Sequence, residues 1–190
     1  MTTVCNLRRV WAMPDHETFS IAPIGDLVKR YLRQSAVSID PFARNKQWAT
    51  YTNDLNPETS AQYHLEALDF LRLMKKQGVH PDLVIFDPPY SLEQCSRAYQ
   101  SVGKHVSQRD TQIFRRWSEY KMLIAQMIQP DGISIYCGWD SAGMGEKNGF
   151  EMVEILLVCH GAGHNDTIVT VEKKVKQPES MSLFDEEDFA

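Results

Sequence analysis

The residues best suited to chemistry stand together at Asp87-Pro88-Pro89-Tyr90. A carboxylate and a proline carbonyl at this spacing can accept hydrogen bonds from an exocyclic amine and orient its lone pair. A phenol ring three residues on can stack on a flat base. Proline cannot donate to a ladder and restricts the residue before it, so the pair of prolines stiffens the turn that carries both groups. Asp40 and Asp54 are further candidate carboxylates, each in or next to a short polar turn, and Asp69 is a third.

The elements that must position these groups can be read around them. Asp82-Leu83-Val84-Ile85-Phe86 is an apolar run of the kind buried on both faces of a parallel sheet,. Asp87 therefore falls at the carboxyl end of a central strand, where open α/β sheets bind ligands. Ala36 to Asp40 reads as a second strand ending in Asp40-Pro41-Phe42-Ala43, and Gly132 to Trp139 as another, after a Gln129-Pro130-Asp131-Gly132 turn,. Glu154–Cys159 and Thr167–Val171 are strands whose short connection forces antiparallel pairing,. Helices are expected from Asp26, as N-cap, through Leu32; from Asp69, as N-cap, to Gln77; and from Asp110 to Ile128,. Residues 1–18 read as irregular, and Ser91 to Gln108 as a surface loop or a flap over the site.

Composition narrows the class. The 190 residues suit one domain with a sizeable core,. No apolar run is long enough to span a bilayer and no signal-peptide core is present, which makes a cytoplasmic protein the expectation. Cys5, Cys95, Cys137 and Cys159 form no Cys-x-x-Cys pair, so neither zinc nor a disulfide framework is indicated,. His160 and His164 lie in a glycine-bearing loop without a clear third ligand, so no metal site is expected. The net charge of −5 is unevenly spread. Residues 177–190 alone carry −5, whereas residues 97–116 carry +4, through Arg97, Lys104, Arg109, Arg115 and Arg116 against Asp110. That basic stretch follows Tyr90 directly and is a candidate for nucleic-acid phosphate contacts, against the plain alternative of a solvated helix face.

With these motifs in hand, the chain resembles the small phage or mobile-element type of adenine-N6 DNA methyltransferase. Asp-Pro-Pro-Tyr is similar to the family's catalytic motif IV, and Asp40-Pro41-Phe42-Ala43 to the start of its cofactor motif I. Thr18 to Leu32 is similar to motif X, with Phe19 as its aromatic, and Ala67 to Leu71 to motif III, with Asp69 as its acid. The resemblance implies a class I methyltransferase, Rossmann-like α/β sheet, mostly parallel with an antiparallel final hairpin, over residues 1–176. It implies S-adenosylmethionine as cofactor, held by Phe19, Asp40, Pro41, Phe42, Asp54 and Asp69. Asp87, Pro88, Pro89 and Tyr90 would be catalytic, acting on a flipped base. Where the family has glycines, this chain has Arg44, Asn45 and Lys46. That implies a different cofactor loop, weaker binding or a lost cofactor site. DNA is the expected substrate; RNA adenine, cytosine N4 and a catalytically silent binding module are the alternatives. Residues 177–190 are expected to be a flexible acidic tail. Within it Ser180-Met181-Ser182-Leu183-Phe184 resembles the peptide that docks on the bacterial sliding clamp, with Ser180 in place of the usual glutamine.

Overall fold

The computed structural model describes residues 5–103, 113–161 and 163–176, with side chains of the segment that starts at 113 described from Trp117 onward. One seven-stranded sheet forms the spine, in the order β1-β6-β7-β5-β4-β2-β3. The strands are β1 (Asn6–Trp11), β2 (Ser38–Asp40), β3 (Tyr51–Thr52), β4 (Leu83–Phe86), β5 (Ile133–Gly138), β6 (Phe150–Cys159) and β7 (Thr167–Lys174). β2, β3, β4 and β5 are mutually parallel, and β7 runs antiparallel between β5 and β6. The expected sheet and its closing hairpin are both present.

β4 explains the centre. All four of its residues are buried, and they alternate between two cores as a period of two requires. Leu83 and Ile85 join Ile135, Cys137, Val169 and Val171 beneath α1 (Ala22–Leu32), which contributes Ile24, Leu27 and Val28. Val84 and Phe86 face the other way, against α2 (Ala67–Lys76) and α4 (Ile113–Met127). At the amino end of β4, the Asp82 carboxylate accepts from the Ser35 hydroxyl and from the backbone N–H groups of Ala36 (2.7 Å) and Val37 (3.2 Å). This fastens the α1–β2 turn to β4 and sets the parallel register Ile39 to Val84.

Several element boundaries differ from the sequence expectations. Residues 6–11 form a strand, β1, parallel to β6. Its side chains are mostly exposed, so no apolar pattern announced it. Leu92–Ser101 is a helix, α3, capped by the Ser91 hydroxyl accepting from the Gln94 N–H. Asp26 does not cap α1, which starts four residues earlier with Pro23 in its first turn,. α2 likewise starts at Ala67, so Asp69 lies inside its first turn and not at its cap. Lys104 and Arg109, the side chains of Arg115 and Arg116, and the peptide Ser180 to Phe184 lie outside the described residues.

Candidate functional site

The carboxyl ends of β2, β3, β4 and β5 fall on one edge of the sheet because these strands run parallel. That edge gathers Asp40, Asp54, Asp87 and Trp139. Asp40 closes β2 and is 1 % exposed. Its carboxylate accepts from the Phe42 N–H at 3.0 Å, an Asx turn that folds Pro41-Phe42 over the strand end,. Burial pushes the Asp40 carboxyl well above the usual carboxylate range, and the nearby Asp87 and Asp54 push the same way,.

Asp54 follows β3. Its two oxygens accept from the backbone N–H groups of Arg44 (3.2 Å) and Asn56 (2.8 Å), leaving further lone pairs unused by these two bonds,. Asn53, beside it, is fully buried. Its amide N–H groups donate to the Pro41 carbonyl (3.1 Å) and the Leu65 carbonyl (3.0 Å), and its oxygen accepts from the Leu65 N–H (2.9 Å). One buried amide thus ties the loop after β2 to the segment leading into α2. Sequence reasoning missed this role, because an Asn in an Asn-Asp-x-Asn run reads as an ordinary turn residue.

The loop after β2 answers the question of the absent glycines. Arg44 has a positive φ of 50°, the left-handed region that glycine usually supplies. The chain makes the turn with an arginine, closed by the Lys46 N–H donating to the Ala43 carbonyl at 2.8 Å. The Arg44 guanidinium donates to the His16 carbonyl at 2.7 Å. Lys46 pairs with Glu17 at 3.1 Å and donates to Ser20 at 3.1 Å. Residues 16–20 therefore form a wall against this loop.

Asp87 emerges from β4 beside that wall. The Tyr90 hydroxyl donates to Asp87 Oδ1 and lies 3.4 Å from the Thr18 hydroxyl. Burial raises the Asp87 carboxyl, while hydrogen bonds from Tyr90 and Thr18 and the charge of Arg44 oppose the rise,. Burial is also the main cause holding the Tyr90 phenol well above its ordinary value, with Asp87 next. The Tyr90 N–H donates to the Gln94 side chain at 2.6 Å, so α3 braces the turn. The Tyr90 ring meets Trp139 edge-on, with centroids 5.9 Å apart, and Trp139 is 42 % exposed at the end of β5,. Beyond Asp54, a cavity of about 440 Å³ runs between residues 55–58, His64 and the end of α3 at Ser101-Val102. The Tyr99 hydroxyl donates to Glu66 at 2.7 Å and holds α3 over that cavity.

The structure brings Asp40, Pro41, Phe42, Asp54, Asp87 and Tyr90 to one edge. Phe19 and Asp69 are placed differently. Phe19 is buried and stacked on Trp48 at 5.9 Å, which spends its ring on the core. Asp69 is exposed and pairs with Arg72 at 3.1 Å, on a helix face shared with Glu119 of α4. Cys95 is pushed up to about 11 by burial and the neighbouring Glu66, so it is an inert thiol at neutral pH,. Arg97 lies on α3 in a loose 3.7 Å pair with Glu93. Among the described residues no cluster could hold a metal ion, and no helix is long and apolar enough to cross a membrane.

No protein-family model and no curated protein matches this chain. Solved structures do. A SAM-dependent methyltransferase from Agrobacterium tumefaciens superposes with a TM-score of 0.52 at 9% identity, over 80% of this chain and 60% of that one. The 1,6-didemethyltoxoflavin-N1-methyltransferase of Burkholderia thailandensis, solved with 1,6-didemethyltoxoflavin and S-adenosylhomocysteine, gives 0.51 at 13% identity, over 85% and 80%. TrmN from Thermus thermophilus gives 0.50 at 14% identity, over 80% and 48%. The chain spans about half the length of the first solved structures it matches, 48% of each. These likenesses define the fold: a class I methyltransferase, Rossmann-like α/β sheet with an antiparallel closing pair.

Proposed function

We propose that this protein transfers a methyl group from S-adenosylmethionine to the exocyclic amine of a nucleobase, with adenine N6 in DNA as the first candidate. The observation that carries the reading is the position of Asp87-Pro88-Pro89-Tyr90. The turn leaves the carboxyl end of the central strand β4, on the same edge as Asp40 and Asp54. The methyltransferase fold and the name of the structurally similar Burkholderia thailandensis protein, a 1,6-didemethyltoxoflavin-N1-methyltransferase, add support.

The residues present fit the donor. The lone pairs that Asp54 keeps would take ribose hydroxyls, and the open groove beyond it would take the base. The loop after β2 reaches its left-handed turn without glycine. When bound, the donor supplies an electrophilic methyl group. The chain's part is positioning. The Asp87 carboxylate and the Pro88 carbonyl accept the two amine hydrogens and aim the nitrogen lone pair. Tyr90 fixes the carboxylate and offers its ring to the base, and Trp139 walls the entrance. No covalent nucleophile is required. Arg97, Lys104, Arg109, Arg115 and Arg116 would contact phosphates of the nucleic acid, and Ser180 to Phe184 would dock on a sliding clamp.

Transfer of tritiated methyl groups from the donor to duplex DNA, single-stranded DNA, RNA and protein, run in parallel, tests the reading. Label in the N6-methyladenine fraction of DNA is the expected result. Label in RNA alone, in cytosine, or in protein would replace the substrate assignment. Absence of label together with no heat on titration with millimolar donor would remove the enzyme reading.

A further inference from the structure

The loop that replaces the glycine turn carries two cations, and they are disposed differently. Lys46 is neutralised, with Glu17 at 3.1 Å. Arg44 makes no close ion pair among the described residues, although its charge bears on Asp87 and Glu17. Its side chain is exposed, and among the described residues its one hydrogen bond goes to the neutral His16 carbonyl, 2.7 Å away. A guanidinium offers five N–H donors in a planar fork, so most of its capacity is unspent. Its location follows from two bonds. The Arg44 N–H is on Asp54, and the guanidinium is on the segment whose Thr18 hydroxyl meets Tyr90. Arg44 therefore spans the edge between the Asp54 side and the Asp87 side.

The charges around it are otherwise negative. Asp40, Asp54 and Asp87 line this edge, and Asp87 and Asp54 add to the rise that burial gives the Asp40 carboxyl. A donor with an amino-acid end brings an ammonium and a sulfonium, which these acids suit, and a carboxylate, which they repel. That carboxylate needs a cation, and a fork matched to two oxygens is the better one.

We propose that Arg44 is the carboxylate clamp of the donor site, taking the amino-acid carboxylate of S-adenosylmethionine on the guanidinium carried by the left-handed turn after β2. The inference rests on the donor reading above and goes beyond it. The missing glycines imply a different cofactor loop, weaker binding or a lost site; the clamp favours the first, one anchoring device substituted for another.

Calorimetry on the full chain with two probes separates the possibilities. S-adenosylhomocysteine carries the carboxylate and 5′-methylthioadenosine lacks the whole amino-acid end. Arg44→Ala is expected to weaken the first at least about tenfold and the second by less than about twofold, since the substitution removes a single charge-assisted pairing. Arg44→Gly, which relaxes the positive φ, should match Arg44→Ala, and Arg44→Lys should recover part of the affinity. Equal weakening for both probes would assign Arg44 to loop architecture and overturn the clamp. Unchanged affinity for S-adenosylhomocysteine would overturn it as well, including the case in which only affinity for DNA falls. A wild-type chain that binds neither probe overturns the donor reading itself, and the clamp with it.

Discussion

The Tyr90 hydroxyl donates to the carboxylate of Asp87, so the two chemically distinctive residues of the Asp-Pro-Pro-Tyr turn are bonded to each other. The prolines between them leave little freedom to break that bond by backbone motion. Asp87 Oδ1 is thereby engaged, and Thr18 supplies a second hydrogen bond to the same carboxylate. The bond also lowers the Asp87 carboxyl against the rise that burial causes, keeping more of it ionised,.

Substitutions at the pair should separate these roles. Asp87→Ala is expected to lose about a hundredfold or more in kcat, with an unchanged circular dichroism spectrum. Tyr90→Phe keeps the ring and removes the donor. It should cost about tenfold at neutral pH and move the acid limb of the kcat–pH profile upward, because a force lowering the Asp87 carboxyl has been removed. An acid limb that stays in place, or moves down, would show that Asp87 is not the group titrating.

Asp40 gives a stability test that needs no substrate. Its folded carboxyl is raised, chiefly by burial, above the ordinary value of 3.8. The folded chain therefore holds more protons than the unfolded one, and stability falls as pH rises from about 3.8 through the raised folded value. Asp40→Asn keeps the oxygen that accepts from the Phe42 N–H and removes the charge. Its melting temperature should exceed that of wild type at pH 8 and equal it near pH 3.5. At this chain length a rise of about 2–4 °C per kcal/mol is the scale to expect. An equal or lower melting temperature at pH 8 would refute the charge argument.

Legibility in the sequence followed burial. β4 was readable because burial on both faces leaves an unbroken apolar run, and the two prolines after Asp87 marked its end,. The β6–β7 pair was readable because the connection between them is too short for a helix. β1 was not, since an edge strand carries Leu7, Arg9 and Trp11 in the open and owes its form to pairing with β6. α3 was not, because only Cys95 on it is buried; the Ser91 cap and the Tyr99–Glu66 bond make up for a weak apolar face. In the site, the acids at strand ends were visible as Asp-Pro and Asn-Asp turns. The use of Arg44 was not, because a left-handed arginine has no sequence signature.

The basic stretch predicts a salt effect. Replacing Arg97, Arg115 and Arg116 together by glutamine should weaken DNA binding at low salt. The slope of log affinity against log salt should become shallower by about 0.9 for each phosphate that is no longer neutralised. Binding to S-adenosylhomocysteine should be unaffected. Fluorescence anisotropy at several salt concentrations gives the slope, and calorimetry the donor-site affinity. An unchanged slope would return these residues to a solvated surface.

The peptide Ser180 to Phe184 predicts a partner. Deleting residues 180–190 should abolish co-purification with a bacterial sliding clamp and leave methyl transfer to short oligonucleotides intact. Phe184→Ala within the full chain should reproduce the loss, since apolar anchors dominate such short docking peptides. Equal recovery of the clamp with and without the tail, or none with wild type, would remove the docking assignment.

Gly25 offers the sharpest test of how α1 is seated. A Cβ at this position would lie 2.5 Å from the Phe19 carbonyl oxygen and 3.6 Å from Trp48. The first of these neighbours is backbone, which cannot swing aside as a side-chain tip can. Gly25→Ala must therefore push α1 away from residues 18–20 or distort that turn. Helix propensity alone would favour alanine by up to about 1 kcal/mol. The clash should outweigh it and leave a net loss of about 1–3 kcal/mol, the scale for overpacking a filled site. Because residues 16–20 also wall the site through Thr18 and the His16 carbonyl, the variant should weaken S-adenosylhomocysteine and 5′-methylthioadenosine alike, unlike Arg44→Ala. Urea denaturation followed by calorimetry reads both effects. A stabilised Gly25→Ala chain would mean that α1 can move freely off the Phe19 turn, and the wall it supports would not be the rigid one the hydrogen bonds imply.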